Sequence, residues 1–378
     1  MKYIDHMEIY QKRRADLYTW MARNSVAMVV LEDTEDRRDP AVRYFSGHPS
    51  DALLLLTITG HAVLCPWDEN LATKMADVDV IVPYTEFGRH PVTAVARLAE
   101  KIGVPKNARV EIPSTTPYPT FLKYVDALQD YDVLCREGGA GDEILRMRSI
   151  KDSTEIEIVE KACAITDQIT DALERQMRSG KIKTESDAAL LIEREARSRG
   201  AEGTGFETLA AGPSRSFGIH AYPPYTDGPF PAPGLSILDY GIKYEGYTSD
   251  VTLTIASGEL SAAQEKQIAL VERAYKAALA LYMPGKQTRE ASLKVDEIFH
   301  KAKKSMPHAL GHGIGLEAHE GPAIRNREDN TWVYEPGMIV TLEPGLYDAK
   351  LGGCRLENDI LITETGNRVL TNARIIRL

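Results

Sequence analysis

The chain has no cysteine pair at metal-site spacing, no basic excess and no long apolar run, and each absence removes a class of protein. Its four cysteines, Cys65, Cys135, Cys163 and Cys354, are scattered without a CxxC pair. Neither a disulfide framework nor a structural zinc site is expected, and the thiols read as reduced and mostly buried. Lys and Arg number 45 against 55 Asp and Glu, a net charge of −10, so the basic face that nucleic acid requires is missing. A small neutral or cationic ligand is the expected partner. The longest apolar stretch, residues 52–58, is far too short to cross a bilayer, and Met1-Lys2-Tyr3-Ile4-Asp5-His6 lacks the apolar run of a secretory leader. The expected location is the cytoplasm. What is present, 378 residues of which 43% are apolar, supports two domains that each bury a core.

Residues 1–135 alternate helix-like and strand-like runs: helical patterns at 7–21, 91–102 and 119–128, apolar runs at 26–31, 53–58, 78–82 and 109–112. That alternation predicts an α/β domain. His48, His61 and His90 are isolated there and read as surface or packing histidines, since a ligand or base needs partners. Gly138-Gly139-Ala140-Gly141 marks the expected boundary. Beyond it, Asp152 and Glu155 form a capping box for a long amphipathic helix carrying Ile156, Val159, Cys163, Ile169, Ala172 and Leu173 up to Gly180. An internal repeat follows. Met177, Gly180, Lys181 and Thr184 are echoed by Met283, Gly285, Lys286 and Thr288 at an offset of about 104 residues. Both echoes sit between a long and a shorter helical stretch, and both halves continue into a two-stranded pattern holding two acids.

Those acids are Asp239 and Asp250 in the first half, Glu343 and Glu357 in the second. Like charges buried together resist ionisation unless a cation neutralises them, so four carboxylates converging in a core point to metal. With a turn centred on Tyr244-Glu245, Asp239 faces Asp250, at the separation that suits a dinuclear centre. Tyr-Glu is a poor two-residue turn, however, and a bulge would shift that register. In the second hairpin, a turn centred on Lys350 sets Glu343 opposite Glu357. A solvated strand acid is the usual fate of any one carboxylate, but Asp239, Glu343 and Glu357 follow apolar Leu238, Leu342 and Leu356, and four on matched hairpins favour ligation. His312 supplies the nitrogen from a glycine-rich segment that also holds His308 and His319. A helical zinc pair of His308 and His312 is opposed by the glycines around it.

Leu238-Asp239-Tyr240-Gly241 with Gly246-Tyr247-Thr248-Ser249-Asp250-Val251-Thr252, Gly311-His312-Gly313-Ile314-Gly315 with His319-Glu320-Gly321-Pro322, Thr341-Leu342-Glu343-Pro344-Gly345, and Arg355-Leu356-Glu357-Asn358-Asp359 occur in this order. Together they resemble the motifs of the pita-bread metallopeptidases, most closely the aminopeptidase P and prolidase branch. The resemblance implies an α+β fold: a pita-bread catalytic domain over 141–378 with pseudo-twofold helix-helix-hairpin repeats, preceded by a smaller creatinase-like α/β domain over 1–140. It implies two divalent ions, Asp239 on one, Asp250 and Glu357 bridging both, His312 and Glu343 completing the second, with a bridging hydroxide as nucleophile. Glu343 would also shuttle a proton to the leaving nitrogen, while His220 and His319 would bind substrate and stabilise the tetrahedral intermediate. The oxygen-rich donor set with one imidazole favours Mn²⁺ over Co²⁺, Fe²⁺ or Zn²⁺.

The implied substrate is a small peptide with proline second, cut as an Xaa-Pro aminopeptidase or an Xaa-Pro dipeptidase, in a homodimer. The alternatives are a metal-dependent hydrolase or lyase of the same fold acting on a small amide or carboxylate, and an inactive binding module. Two departures from the family pattern bear on substrate preference. Leu253 stands where Arg is common, removing a cation, and Asn358 stands where an acid is common.

Overall fold

Apolar runs without helical period become the middle strands of a sheet in the first of the two units into which the chain divides, Met1–Arg148 and Ser149–Leu378. The computed structural model describes residues 6–378. The first unit runs α1 (His6–Asn24), β1 (Val26–Asp33), α2 (Pro40–Ser46), β2 (Ala52–Thr57), β3 (Ala62–Pro66), α3 (Glu69–Met75) and β4 (Val80–Ile81). It continues through α4 (Pro91–Lys101), β5 (Arg109–Glu111), α5 (Tyr118–Ala127), β6 (Asp132–Leu134) and α6 (Ala140–Ser149). The sheet order is β4-β3-β2-β1-β5-β6, mixed because β1, β2 and β3 are antiparallel while β5 and β6 lie parallel to β1. β2 is buried along its whole length, as its unbroken apolar run requires when both faces are covered. His48 is buried, whereas His61 and His90 are exposed.

The glycine-rich segment expected as the boundary belongs to the first unit. Its Ala140 N–H donates to the buried Glu111 carboxylate at 2.6 Å, and the division falls after α6 rather than before it. Gly139 serves a close approach, since a Cβ there would come within 2.7 Å of Glu111 Oε2.

The second unit opens with α7 (Ser153–Arg178), capped by the expected Asp152 and Glu155 box, then α8 (Glu185–Ser198). Strands β7 (Gly203–Thr204), β8 (Leu209–Ala211), β9 (Gly234–Tyr240), β10 (Ile242–Tyr244), β11 (Tyr247–Thr248) and β12 (Val251–Ser257) complete the first half. The second half repeats the plan with α9 (Ala262–Leu279), α10 (Thr288–Lys301), β13 (Gly311–Gly313), β14 (Glu320–Ile324), β15 (Ile339–Leu342), β16 (Gly345–Asp348), β17 (Gly352–Arg355) and β18 (Asn358–Ile362). Strands β19 (Asn367–Val369) and β20 (Ile375–Arg377) follow. The echo seen in sequence has the same structural meaning twice. Gly180 and Gly285 both take positive φ, 67° and 82°; the N-cap answering Thr184 is Gln287, one residue before the expected Thr288, and each N-cap makes an isolated bridge, Thr184 to Pro229 and Gln287 to Val333. Strands order β20-β12-β9-β8 and β14-β13-β15-β18-β19, and Ile169, Leu173, Leu238, Leu253, Val271, Val295, Val340 and Ile360 share one core.

The hairpin registers decide where the acids fall. In the second hairpin Ile339 pairs with Leu361 and Asp348 with Gly352, so the turn is centred on Lys350 as expected. In the first, Tyr244 pairs with Tyr247 and Asp239 with Thr252, not with Asp250. The turn is Glu245-Gly246, with φ of 47° and 88°, the two positive values that a tight hairpin turn needs. The correction is a shift of two residues, and because side chains alternate with period two it leaves Asp239 and Asp250 on one face as diagonal neighbours.

Candidate metal centre

Asp250 sits where the first hairpin is locally distorted. Ser249 packs its carbonyl so close to Gly241 that any Cβ there would overlap it, and Ser249 Oγ accepts the Ile242 N–H at 3.1 Å. The distorted strand is then joined to the second hairpin. Glu357 N–H donates to the Thr252 carbonyl at 3.2 Å, and Thr254 Oγ1 donates to the Arg355 carbonyl at 2.8 Å. That seam between the two halves brings their acids together.

Asp250, His312 and Glu357 each offer a donor atom within 4.8 Å of the others. Glu343 Oε1 and Asp250 Oδ2 each lie 3.7 Å from His312 Nε2. The ring orientation suits ligation, because His312 Nδ1 is 3.1 Å from the Gly313 carbonyl; a carbonyl can only accept, so the proton is on Nδ1 and the Nε2 lone pair faces the acids. Burial, then His319, brings His312 down to about 3, which keeps that ring neutral. Asp239 stands outside this trio: one oxygen pairs with Arg355, while Oδ1 is buried with no hydrogen-bond partner among the described residues.

The carboxylates are electrostatically overloaded. Burial, and then Glu357, pushes both Asp250 and Glu343 well above the usual carboxylate range, and Glu357 itself is raised to about 7 by burial and then by Asp239. Asp239 is raised by burial against the opposing Arg355. An orphaned buried oxygen, a neutral imidazole and four acids whose ionisation is opposed by burial, three of them also by a neighbouring carboxylate, fit a divalent cation site.

The remaining predicted residues lie around this cluster. His220 is exposed on the loop between β8 and β9, near enough to Asp239, His308 and His319 for its charge to bear on all three. His319 is exposed too, its ring tilted 33° against His312 at 4.0 Å between centroids. The segment Gly311–Gly313 is a strand, so His308 and His312 form no helical pair. Instead Arg355 Nη1 donates to Tyr347 Oη at 2.9 Å. His308 Nδ1–H is committed to the Ala309 carbonyl at 2.7 Å, so Tyr347 O–H donates onward to His308 Nε2 at 2.9 Å.

Arg355 was the residue that sequence reasoning passed over. Its guanidinium pairs with Asp239 and also reaches Thr252 Oγ1 at 2.9 Å and the Ile219 carbonyl at 3.2 Å. The signal was available, since Arg355 lies two residues before Glu357 in a run that reads as extended in sequence, where alternate residues share a face. It supplies a cation of the kind that Leu253, buried in the core, does not. Asn358 faces away, its Oδ1 accepting the Ala373 N–H at 2.7 Å.

Fold and site together define a metal-dependent hydrolase. A family comparison makes the class specific: the chain belongs to metallopeptidase family M24, whose model matches residues 157–364. Over 372 residues it is 29% identical to the Xaa-Pro dipeptidase of Pyrococcus horikoshii, covering 97% of this chain and 98% of that one. It is 32% identical over 337 residues to the uncharacterized peptidase YqhT of Bacillus subtilis, covering 88% and 91%. The X-Pro aminopeptidase structure from Thermotoga maritima superposes with a TM-score of 0.84 at 25% identity, covering 97% of this chain and 99% of that one. The pita-bread fold and the prolidase and aminopeptidase P branch expected from sequence are thereby established, and the protein is a peptide hydrolase.

Proposed function

We propose that this chain hydrolyses the bond between an N-terminal residue and a penultimate proline, with Asp239, Asp250, His312, Glu343 and Glu357 holding two divalent ions, Mn²⁺ by preference. The observation that carries the reading is the gathering of acids from both halves around the His312 lone pair. When bound, such ions supply a water of lowered pKa and polarise the scissile carbonyl. The chain's own groups do the rest. Glu343, its Oε2 3.6 Å from His308 Nδ1, moves the proton towards the leaving proline nitrogen. His319 and His220 orient the substrate and donate to the oxygen that becomes negative in the tetrahedral intermediate. Arg355 fixes Asp239 and, through the Ile219 carbonyl, the loop bearing His220.

The substrate class rests on the named relatives, one a dipeptidase and one an aminopeptidase. A cytoplasmic homodimer, with residues 1–140 as a creatinase-like domain, completes the proposal. Purified protein loaded with Mn²⁺ is expected to cleave either Xaa-Pro dipeptides or longer Xaa-Pro-Yaa peptides and to carry two ions per chain. Full loading without turnover of either class would redirect the reading to a small amide or carboxylate, and absence of stoichiometric metal would end it.

A further inference from the structure

Beside the carboxylate cluster, two opposite charges are shut away from water in one contact. Lys151 Nζ lies 2.7 Å from Glu320 Oε1, and the two side chains are 0% and 1% exposed. Lysine is almost never fully buried unless paired, and an apolar pair of similar volume is commonly as stable or more so. Stability alone is therefore a poor account of these residues. Their location gives a better one.

Glu320 directly follows His319 and begins β14. The turn before it is built around the Glu320 carboxylate: a Cβ on Gly315 would overlap Oε1. The Gly315 N–H donates to the Glu317 carbonyl at 3.0 Å, and the Gly315 carbonyl accepts the Thr248 N–H at 2.8 Å. The cation is equally fixed. Lys151, between α6 and α7, donates its backbone N–H to the Gly337 carbonyl at 2.9 Å, and Gly337, at φ 91°, packs against the Lys151 carbonyl so closely that a Cβ would come within 2.9 Å of it. An anchored ammonium thus grips a carboxylate one residue from His319, whose exposed ring otherwise rests on His312 alone among the ring contacts of the described residues.

We propose that the Lys151–Glu320 ion pair is a positioning device for His319, fixing the backbone that sets its imidazole over His312. The proposal rests on the reading of His319 as a substrate-facing group. Neither charged residue touches substrate. A charge pair serves this purpose better than an apolar pair because its geometry is directional, whereas apolar contact tolerates sliding.

The test uses full-length, Mn²⁺-loaded protein and the double replacement Lys151→Met with Glu320→Leu, which removes both charges without stranding either. We expect melting and metal content close to the parent, kcat on the Xaa-Pro substrate reduced about 10- to 100-fold, and KM little changed, as when a change remote from the chemistry misplaces a group beside the bond being broken. Glu320→Asp, which keeps the charge but retracts the carboxylate, should lower kcat in the same direction, and Lys151→Arg should retain more activity than Lys151→Met. In metal-free, histidine-labelled protein the nuclear Overhauser contact between the His312 and His319 rings should weaken in the double variant. Parental kcat in a folded, loaded double variant, or in Glu320→Asp should the double variant not fold, would overturn the proposal, as would an unchanged ring contact. If the parent protein cleaves neither peptide class, the functional reading fails, while the ring contact still decides the positioning role.

Discussion

Thr252 carries no charge, yet it stands between two. Its hydroxyl donates to Glu357 Oε2 at 2.6 Å and accepts from Arg355 Nε at 2.9 Å, so one proton orders a candidate metal ligand and the guanidinium that pairs with Asp239. Thr252→Val keeps the shape and removes the hydroxyl, leaving a buried donor and a buried acceptor unmatched. We expect a loss of roughly 1–3 kcal/mol of stability and a fall of about 10- to 100-fold in Mn²⁺ affinity or turnover, the usual effect of removing a group that orients a metal ligand. Calorimetric titration with Mn²⁺ and steady-state kinetics on one preparation check both; parental values in each would show that the hydroxyl only fills space.

Distortion in a strand can matter as much as regularity. Gly241 has no room for a side chain because the Ser249 carbonyl occupies the space, and Ser249 directly precedes Asp250 in the gap between β11 and β12. Gly241→Ala must push Ser249 away and move Asp250 with it. The expected outcome is a folded protein with at least about tenfold weaker metal binding, measured by competition with a metallochromic chelator; unchanged affinity would mean that Asp250 is positioned from the second hairpin alone. The same segment shows what could be read before the structure was known. The Lys350-centred turn followed from numbering, because β16–β17 and β15–β18 keep one register on either side of the break at Glu343 and Glu357. The first hairpin misled, since centring its turn on Tyr244-Glu245 ignored that Gly246 is the residue able to take positive φ at little cost. Asp239 and Asp250 still share a face despite the error, because a two-residue slip preserves it. Contacts such as Thr252 to Glu357 and Lys151 to Glu320 join residues 105 and 169 positions apart, and no local period announces them. Gly139, against whose Cα side the Glu111 carboxylate packs, shows that a glycine permitting close packing looks in sequence like one that permits bending.

At the scale of the whole second unit, the two halves meet through groups that repel. Each hairpin brings two carboxylates to the seam, and without a cation the folded chain holds protons there that the unfolded chain would release. The sign of the pH effect follows. Carboxyl groups whose pKa is raised by folding stabilise the native state below their unfolded values, and that contribution is lost as pH rises towards the folded ones, which for Glu357 means about 7. Metal-free protein is therefore expected to lose stability in urea unfolding between the ordinary carboxylate range and neutrality, and saturating Mn²⁺ to abolish that loss, with protons released as metal enters. At 100 times its dissociation constant a single native-state ion adds about 2.7 kcal/mol. Asp250→Asn separates this account from simple ligand stabilisation: with one repelling charge gone, the metal-free variant should be at least as stable as the metal-free parent at pH 7.5, yet gain far less from Mn²⁺ and lose nearly all turnover. A metal-free variant clearly less stable than its metal-free parent would mean that Asp250 supports the fold through its hydrogen bonds rather than burdening it with charge.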